Sequence, residues 1–403
     1  MSTFTIASWL GYLTVVLVAG RYRGRGAAIF TGIALGIFTL VSTSAPRSGD
    51  WVGYARDYLQ VAVYVHFLVF LWPRLRPLAW RLLVSIPASY YAAGTVLAWP
   101  VAIAVSFGAS TDWFYLPYGF ALLGLAESLW TPETVRDLVL DDLDAGALRR
   151  YPLGKSNGHG APQVLQLVQI TDPHLGPFMS VRRLRKVCER AVERSPDLIC
   201  LTGDFLTVES NHSPAALEAA FEPLSRAQGK VFACLGNHDH EAPHVVRRAL
   251  SKAGVRLLVD EATEIDTPIG RVQLLGFDFH FRDREQRMAA VCERFPKPNG
   301  ALRIVLLHDP GAFRKLPPGE GDLVLSGHTH GGQVGLVSFG LPWTLVSLVA
   351  KMPDHGLWAR GKDRLYVHRG TGHYGFPLRV GVPAEQSLLR VQRGIDATIS
   401  RNA

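Results

Sequence analysis

The chain has 403 residues, room for two or three domains by length alone. Its formal net charge of +8 invites a nucleic-acid reading, but the basic residues form no concentrated stripe, and no nucleic-acid partner is expected. The halves differ sharply: residues 1–130 hold no lysine, eight arginines and four acids, whereas the remainder carries 34 basic and 30 acidic residues and reads as an ordinary soluble domain.

Taken in chain order, the first half offers five candidate membrane spans, about 5–20, 27–45, 58–73, 82–107 and 114–130. A bilayer core needs roughly 17–25 mostly apolar helical residues, so the first and third are short. The first is no signal peptide by its polarity, since "MSTF" carries no basic residue and "RYRGRG" follows the apolar run. Three arginine clusters flank alternate spans: Arg21, Arg23 and Arg25; Arg74, Arg76 and Arg81; Arg136, Arg149 and Arg150. Five spans with these clusters inside give an integral inner-membrane protein whose C-terminal domain is cytoplasmic; without the fifth span the domain changes sides. Residues 131–162 read as a connector. "TPETVRDLVLDDLDAGALRRY" is expected as a short amphipathic helix, with Glu133 in its first turn, and "GKSNGHGAP" as a linker containing a solvated His159.

From 163 to about 395 one pattern repeats: an apolar run of strand length stops at polar residues able to bind metal. "VLQLVQIT" ends in Asp172-Pro173-His174, "DLICLT" in Gly203-Asp204, and "KVFACL" in Gly236-Asn237-His238-Asp239. "LRIVLL" ends in His308-Asp309, and "DLVLS" in Gly327-His328-Thr329-His330. Near-continuous apolar strands imply sheets covered on both faces. Helical spacing lies between several of them, in Val181, Leu184, Val187, Cys188, Ala191 and Val192 and again over 244–253. In α/β folds sites gather at the carboxyl ends of strands, where all these residues fall. Any one of these endings is modest evidence, but five in one domain exceed what turn chemistry at strand ends requires.

The donor set states the chemistry. Carboxylates, imidazoles and one amide, with no thiolate, suit borderline metals such as Mn, Fe or Zn rather than a closed structural zinc site. Seven candidates are too many for one ion and fit two, an arrangement suited to phosphoryl chemistry by a metal-activated hydroxide. The four cysteines form no C-x-x-C, and Cys200 and Cys234 read as buried small hydrophobes. "GTGHYG" (370–375) matches a dinucleotide fingerprint but lacks the following helix, and is read as a glycine-rich loop near which His368 and His373 could line the site. His240, His244 and His280 show no partner pattern. The uncharged "VGLVSFGLPWTLVSLVA" (334–350) is either strand and loop in the core or a lip touching the bilayer.

The ordered series D-x-H, G-D, G-N-H-D, H and G-H-T-H resembles the calcineurin-like metallophosphoesterase superfamily, and "TDPHLGP", "LTGDFL", "LLHDPGAF" and "SGHTHGGQ" are similar to its membrane-anchored branch. The resemblance spans about 164–391. It implies a four-layer α/β domain of two mixed sheets flanked by helices, carried on the helical membrane region. By the same resemblance Asp172, His174 and His330 hold one divalent ion, Asn237, His308 and His328 the other, and Asp204 bridges them. His238 stabilises phosphoryl oxygens or protonates the leaving group, with Asp239 orienting its ring. The expected substrate is a phosphate ester, with a lipid-linked one such as a phospholipid or a UDP-linked diacylglucosamine set against a soluble nucleotide or phosphodiester. A non-catalytic membrane sensor or scaffold is the alternative from another class. Metal identity, mono- or diesterase preference and oligomeric state are not legible.

Overall fold

A bent, apolar helical region and an α/β domain share the chain in the computed structural model, which describes residues 2–45, 51–72, 74–152, 163–373, 375 and 379–394. The expected linker 154–162, with His159, lies outside the described residues.

Helices α1 (Thr3–Arg23), α2 (Arg25–Ser44) and α3 (Trp51–Phe70) are followed by α4 (Leu78–Trp80), which continues through a π turn into α5 (Ile86–Leu97); α6 (Trp99–Ser106) and α7 (Leu116–Leu129) complete the region. Their positions follow the five expected spans, but length and composition license fewer crossings. α1 and α2 are long and apolar enough, and the pair Leu78–Leu97 and Trp99–Ser106, bent by 47°, makes a third if it is one span. α3 falls short because Arg56, Asp57 and Gln60 interrupt its apolar run. α7, with 14 residues, is only about 21 Å long at 1.5 Å per residue, against a hydrocarbon core of about 30 Å. Buried polar side chains tie three helices together: Gln60 of α3 donates to Ser8 of α1 (3.1 Å) and Ser42 of α2 (2.9 Å). In an apolar surrounding such bonds between helices replace a hydrophobic driving force.

The expected amphipathic helix after α7 is instead a strand. β1 (Glu133–Leu140) runs parallel to β13 (Gln386–Arg393) at the edge of the first sheet, and β2 (Arg149–Arg150) pairs with β11 (Gly356–Arg360) in the second. The reason is tertiary. Leu138 is fully buried between the sheets, and the 3-to-4-residue apolar spacing that suggested a helix is outweighed by the open edge of β13.

The remaining strands are β3 (Leu165–Ile170), β4 (Leu198–Thr202), β5 (Val231–Cys234), β6 (Arg256–Leu257), β7 (Glu261–Thr267), β8 (Gly270–Gly276), β9 (Leu302–Leu306), β10 (Leu323–Ser326) and β12 (Asp363–Val367). The first sheet has the order β1-β13-β3-β4-β5-β6 and the second β2-β11-β12-β10-β9-β8-β7. Both are mixed: β3 to β6 are parallel and β13 is antiparallel to β3, while β8, β9, β10 and β12 are parallel and flanked by antiparallel β7 and β11. One apolar cluster, with Leu167, Cys200, Phe232, Leu274, Ile304 and Leu325, fills the space between the sheets. A second joins the first sheet to α8 (Val181–Glu193), α9 (Pro214–Phe221) and α10 (Pro243–Lys252). A third joins the other sheet to α11 (Arg284–Arg294). These are the four expected layers, and burial on both faces explains why strands such as β4 are buried throughout.

The two regions touch on the face where the strands end. Arg81 donates to the Pro177 carbonyl (2.6 Å), Arg379 N–H to the Gly124 carbonyl (3.3 Å), and Ala93 and Ala121 pack against Val334 and Val380. Beyond Val334 the uncharged stretch is not core. It makes a short loop, with Leu336 N–H donating to the Trp343 carbonyl (2.9 Å), and then α12 (Leu345–Val349), capped by Thr344. Phe339 is 76% exposed, Trp343 54%, Leu348 67% and Val349 76%, an apolar ridge contiguous with the helical region.

Candidate metal centre

Every strand that ends on the shared face delivers a polar residue into it. Asp172 and His174 follow β3, Asp204 follows β4, Asn237 and His238 follow β5, His308 follows β9, and His328 and His330 follow β10. The chain must turn sharply to present them. Asp172, His174, Asp204, His328 and His330 all have φ between 47° and 68°, a left-handed conformation that costs a non-glycine residue of order 1–3 kcal/mol and persists where the surroundings enforce it. The motif glycines have a different task. A Cβ on Gly236 would stand 2.2 Å from Asp204 Oδ1, and one on Gly327 2.1 Å from Asp172 Oδ2; only glycine lets the backbone pass so close to these carboxylates.

Two groups of possible ligands result, Asp172, His174 and His330, and Asp204, His308 and His328; within each, one donor atom per residue lies within 4.8 Å of the others. His174 Nε2 is 3.2 Å from His330 Nε2 and 3.6 Å from Asp204 Oδ2, so Asp204 faces both groups. His308 Nε2 lies 3.2 Å from the same Asp204 oxygen and 3.1 Å from His328 Nδ1. The Nδ1 of His174 meets the Leu206 carbonyl (3.1 Å) and that of His308 the Thr202 carbonyl (2.7 Å). Donating from Nδ1 leaves the Nε2 lone pair of each ring directed into the site, the tautomer a metal ligand needs. Asn237 Oδ1 is buried without a hydrogen-bond partner among the described residues, a costly arrangement for an amide oxygen unless a cation takes the lone pair.

Electrostatics agree with these donors. Burial pushes His174 down to about 3 and His328 to about 4, so both rings are neutral. Burial also pushes Asp172 up to about 6, although His308 and the Thr171 hydroxyl oppose it. Burial acts upward on Asp204 too, but the rings of His308, His174 and His238 outweigh it and hold the carboxyl well below its usual range. His308 responds in the opposite sense, raised to about 10 by the Asp204 charge against its own desolvation. A buried carboxylate that borrows a proton from a neighbouring imidazole is a site short of positive charge, and divalent cations displace such protons. The residues present fit two of them.

His238 stands beside the two groups rather than within either. Its backbone N–H donates to Asp204 Oδ1 (2.9 Å), and its ring Nδ1 is 2.8 Å from Glu241 Oε1. Burial lowers its pKa, but the bond to Glu241 and the charges of Asp204 and Glu241 leave it raised, favouring the protonated ring. Asp239, expected to orient that ring, does something else. Its carboxylate accepts the backbone N–H groups of Asp204, Gly236 and Phe205, each at 2.8 Å, and so clamps the loops after β4 and β5 together. The ring partner is Glu241, itself held by Asn211 (2.9 Å) and 3.9 Å from Arg23 at the end of α1. Its signal in the sequence was the three-residue spacing in "HDHE", which a single tight turn brings onto one side.

Other expectations divide. His373 is buried against Phe178 (4.7 Å between rings), while His368 lies beneath the following loop and accepts the Gly370 N–H (2.9 Å). His240 pairs with Asp278 (2.9 Å), and His280 lies 3.6 Å from Asp260. Arg379 was not anticipated: fully buried, it donates to the His330 carbonyl (3.2 Å) and supports the last ligand-bearing turn. Phe279, 6.1 Å from the ring of His308, gives the site an aromatic wall.

Two facing mixed sheets with a buried carboxylate–imidazole cluster at their strand ends define a dinuclear-type metallohydrolase domain. Residues 165–332 match the family model described as calcineurin-like phosphoesterase. The chain is 30% identical to phosphodiesterase YaeI of Escherichia coli over 60% of its own length and 87% of that protein. It is 30% identical to a zebrafish (Danio rerio) transmembrane protein with metallophosphoesterase domain, over 55% of this chain and 52% of that one. It is 26% identical to the UDP-2,3-diacylglucosamine pyrophosphatase LpxG of Chlamydia muridarum, over 60% of this chain and 86% of that one. The chain belongs to the calcineurin-like phosphoesterases, metal-dependent hydrolases of phosphate esters built on a dinuclear centre.

The clamp at Asp239 yields a prediction about stability. Asp239→Ala strands three buried N–H groups, each worth about 1–3 kcal/mol when left unsatisfied. Urea unfolding should therefore lose at least about 2 kcal/mol relative to the parent protein. A loss below about 0.5 kcal/mol would mean that the two loops do not depend on this carboxylate.

Proposed function

We propose that the protein is a membrane-anchored phosphoesterase that hydrolyses a lipid-linked phosphate ester at a dinuclear centre. The observation that carries the reading is the meeting of two ligand groups at Asp204, supported by a buried, unpartnered Asn237 oxygen on the turn that follows β5. Asp172, His174 and His330 would hold one ion, Asn237, His308 and His328 the other, and Asp204 both. Two divalent ions bound there supply a nucleophile from water near neutral pH and neutralise the charge of the transferring phosphoryl group. The donor set suits Mn, Fe or Zn.

The chain's own residues do the rest. His238, whose pKa is raised by Glu241 and Asp204 against its burial, would hydrogen-bond a phosphoryl oxygen or give its proton to the leaving group. Glu241 is its positioning residue. Asp239 acts through the backbone.

Asp204→Asn and His308→Ala should lose bound metal and turnover together. His238→Ala should retain metal while turnover falls by about 10²–10⁴-fold, the usual span of general acid catalysis. Metal analysis beside a p-nitrophenyl ester assay separates the roles: an empty site in His238→Ala with a full one in His308→Ala would reverse the assignments.

Support for a lipid-linked ester comes from the ridge over 334–350, which begins four residues after His330 and exposes Phe339 and Trp343. Aromatic rings favour the headgroup level of a bilayer, so acyl chains could lie along this ridge while the phosphate reaches the ligands. The likeness to a UDP-2,3-diacylglucosamine pyrophosphatase supports the same class. Replacing both Phe339 and Trp343 by serine should weaken hydrolysis of a long-chain lipid phosphoester and spare a small soluble ester. Equal losses on the two substrates would make the ridge a structural element only.

The arginine clusters support a cytoplasmic catalytic domain at an inner membrane. Arg23 and Arg81 both lie at helix ends that meet the catalytic domain, the side the positive-inside rule assigns to the cytoplasm. A C-terminal fluorescent-protein fusion should be bright and an alkaline phosphatase fusion inactive; the opposite pair of results would place the domain outside.

A further inference from the structure

α8 is the most basic helix beside the membrane region, carrying Arg182, Arg183, Arg185, Lys186 and Arg190 against Glu189 and Glu193. Its apolar stripe, Leu184, Val187, Cys188 and Ala191, is buried on the first sheet, so the charges face outward, toward the end of α7. Between them lies an open recess of about 530 Å³, with Leu129 and Trp130 on one wall and three cations, Arg183, Lys186 and Arg190, against two acids, Glu189 and Glu193, on the other.

Two features distinguish this recess from an ordinary solvated face. Its guanidinium groups are fixed by neutral groups: Arg183 donates to the Thr131 hydroxyl (2.7 Å) and the Phe178 carbonyl (3.0 Å), and Arg190 to the Thr131 carbonyl (3.2 Å). Neither has a carboxylate within ion-pair distance among the described residues, and Arg190 Nε is buried without a partner. Of the acids nearby, Glu189 is engaged with Arg185 (3.0 Å) and Glu133 with Arg194 (2.6 Å), which leaves Glu193 as the one lining carboxylate set against three cations. Burial and the neighbouring charges of Arg190 and Arg81 push Arg183 down to about 10, the mark of positive charge packed without compensation. The second feature is the opposite wall. Leu122 (59% exposed), Leu129 (44%) and Trp130 (65%) continue one apolar strip along α7 to its end, where an indole favours the headgroup level.

We propose that this recess binds the phosphate headgroup of an anionic glycerophospholipid, at a site separate from the metal ligands. Arg183 and Arg190 face the phosphate, Lys186 adds a mobile charge at the rim, and one acyl chain follows the α7 strip past Trp130 and Leu129. Free phosphate would satisfy the cations but leave that strip uncovered; a zwitterionic lipid would cover the strip but bring its own ammonium to three cations. The inference does not depend on the phosphoesterase reading, because it concerns bound lipid and not turnover.

Native mass spectrometry of the full chain, released from nanodiscs of phosphatidylcholine and phosphatidylglycerol, tests it. The parent protein should retain one phosphatidylglycerol in preference to phosphatidylcholine. Lys186→Glu should reduce that retention by about tenfold, the scale of one charge-assisted contact. Arg182→Glu makes the same charge change on the same helix outside the recess and should retain lipid like the parent. Lys186→Ala should fall between the parent and Lys186→Glu. Equal losses in Lys186→Glu and Arg182→Glu would reduce the effect to surface charge and overturn the site. So would displacement of the lipid by millimolar inorganic phosphate, which would assign the recess to a free anion, or retention of phosphatidylcholine as strongly as phosphatidylglycerol.

Discussion

A carboxylate buried between two sheets must be held by donors on every side, and the way Asp204 meets that demand organises the active face. Its backbone N–H is fixed by Asp239, one carboxylate oxygen takes the His238 N–H, and the other lies between the rings of His174 and His308. Those four partners come from the ends of three strands, β3 and β5 in the first sheet and β9 in the second. The sheets therefore cannot slide or separate without stripping donors from a buried charge, at a cost of several kcal/mol. The strained left-handed turns at five of the candidate ligands serve the same demand, since they redirect side chains from both sheets toward one point.

The helical region is joined to this face rather than tethered at a distance. Arg81 reaches the loop that carries His174, Arg23 approaches the glutamate that holds His238, and α5 and α7 pack on the segment that follows His330. A domain fixed in this way keeps its strand ends toward the helical region, with the apolar ridge over 334–350 and the basic recess beside α8 as two further surfaces of the chain.

Much of this was legible in the sequence because its signals are local. An apolar run that stops at G-D or G-H-T-H states both a strand and what its end presents, and six of the seven candidate ligands fall into two groups that meet at Asp204. What failed was non-local. The segment 133–140 has helical spacing, yet the open edge of β13 makes it a strand. Five apolar stretches were expected as spans, the first and third already short, but Arg56 and Asp57 in α3 and the brevity of α7 separate those two helices from α1 and α2. The part played by Asp239 was misread because adjacency in sequence suggested contact with His238, whereas a residue buried beneath the turn faces backbone, and Glu241, one turn further, meets the ring.

The central claim is that Asp204 joins two ligand groups into one dinuclear centre. Metal analysis of the purified full chain loaded with Mn²⁺, combined with electron paramagnetic resonance, addresses it directly. Two manganese ions per chain with a spin-coupled spectrum are the predicted result; one ion per chain, or two that are magnetically isolated, would contradict it.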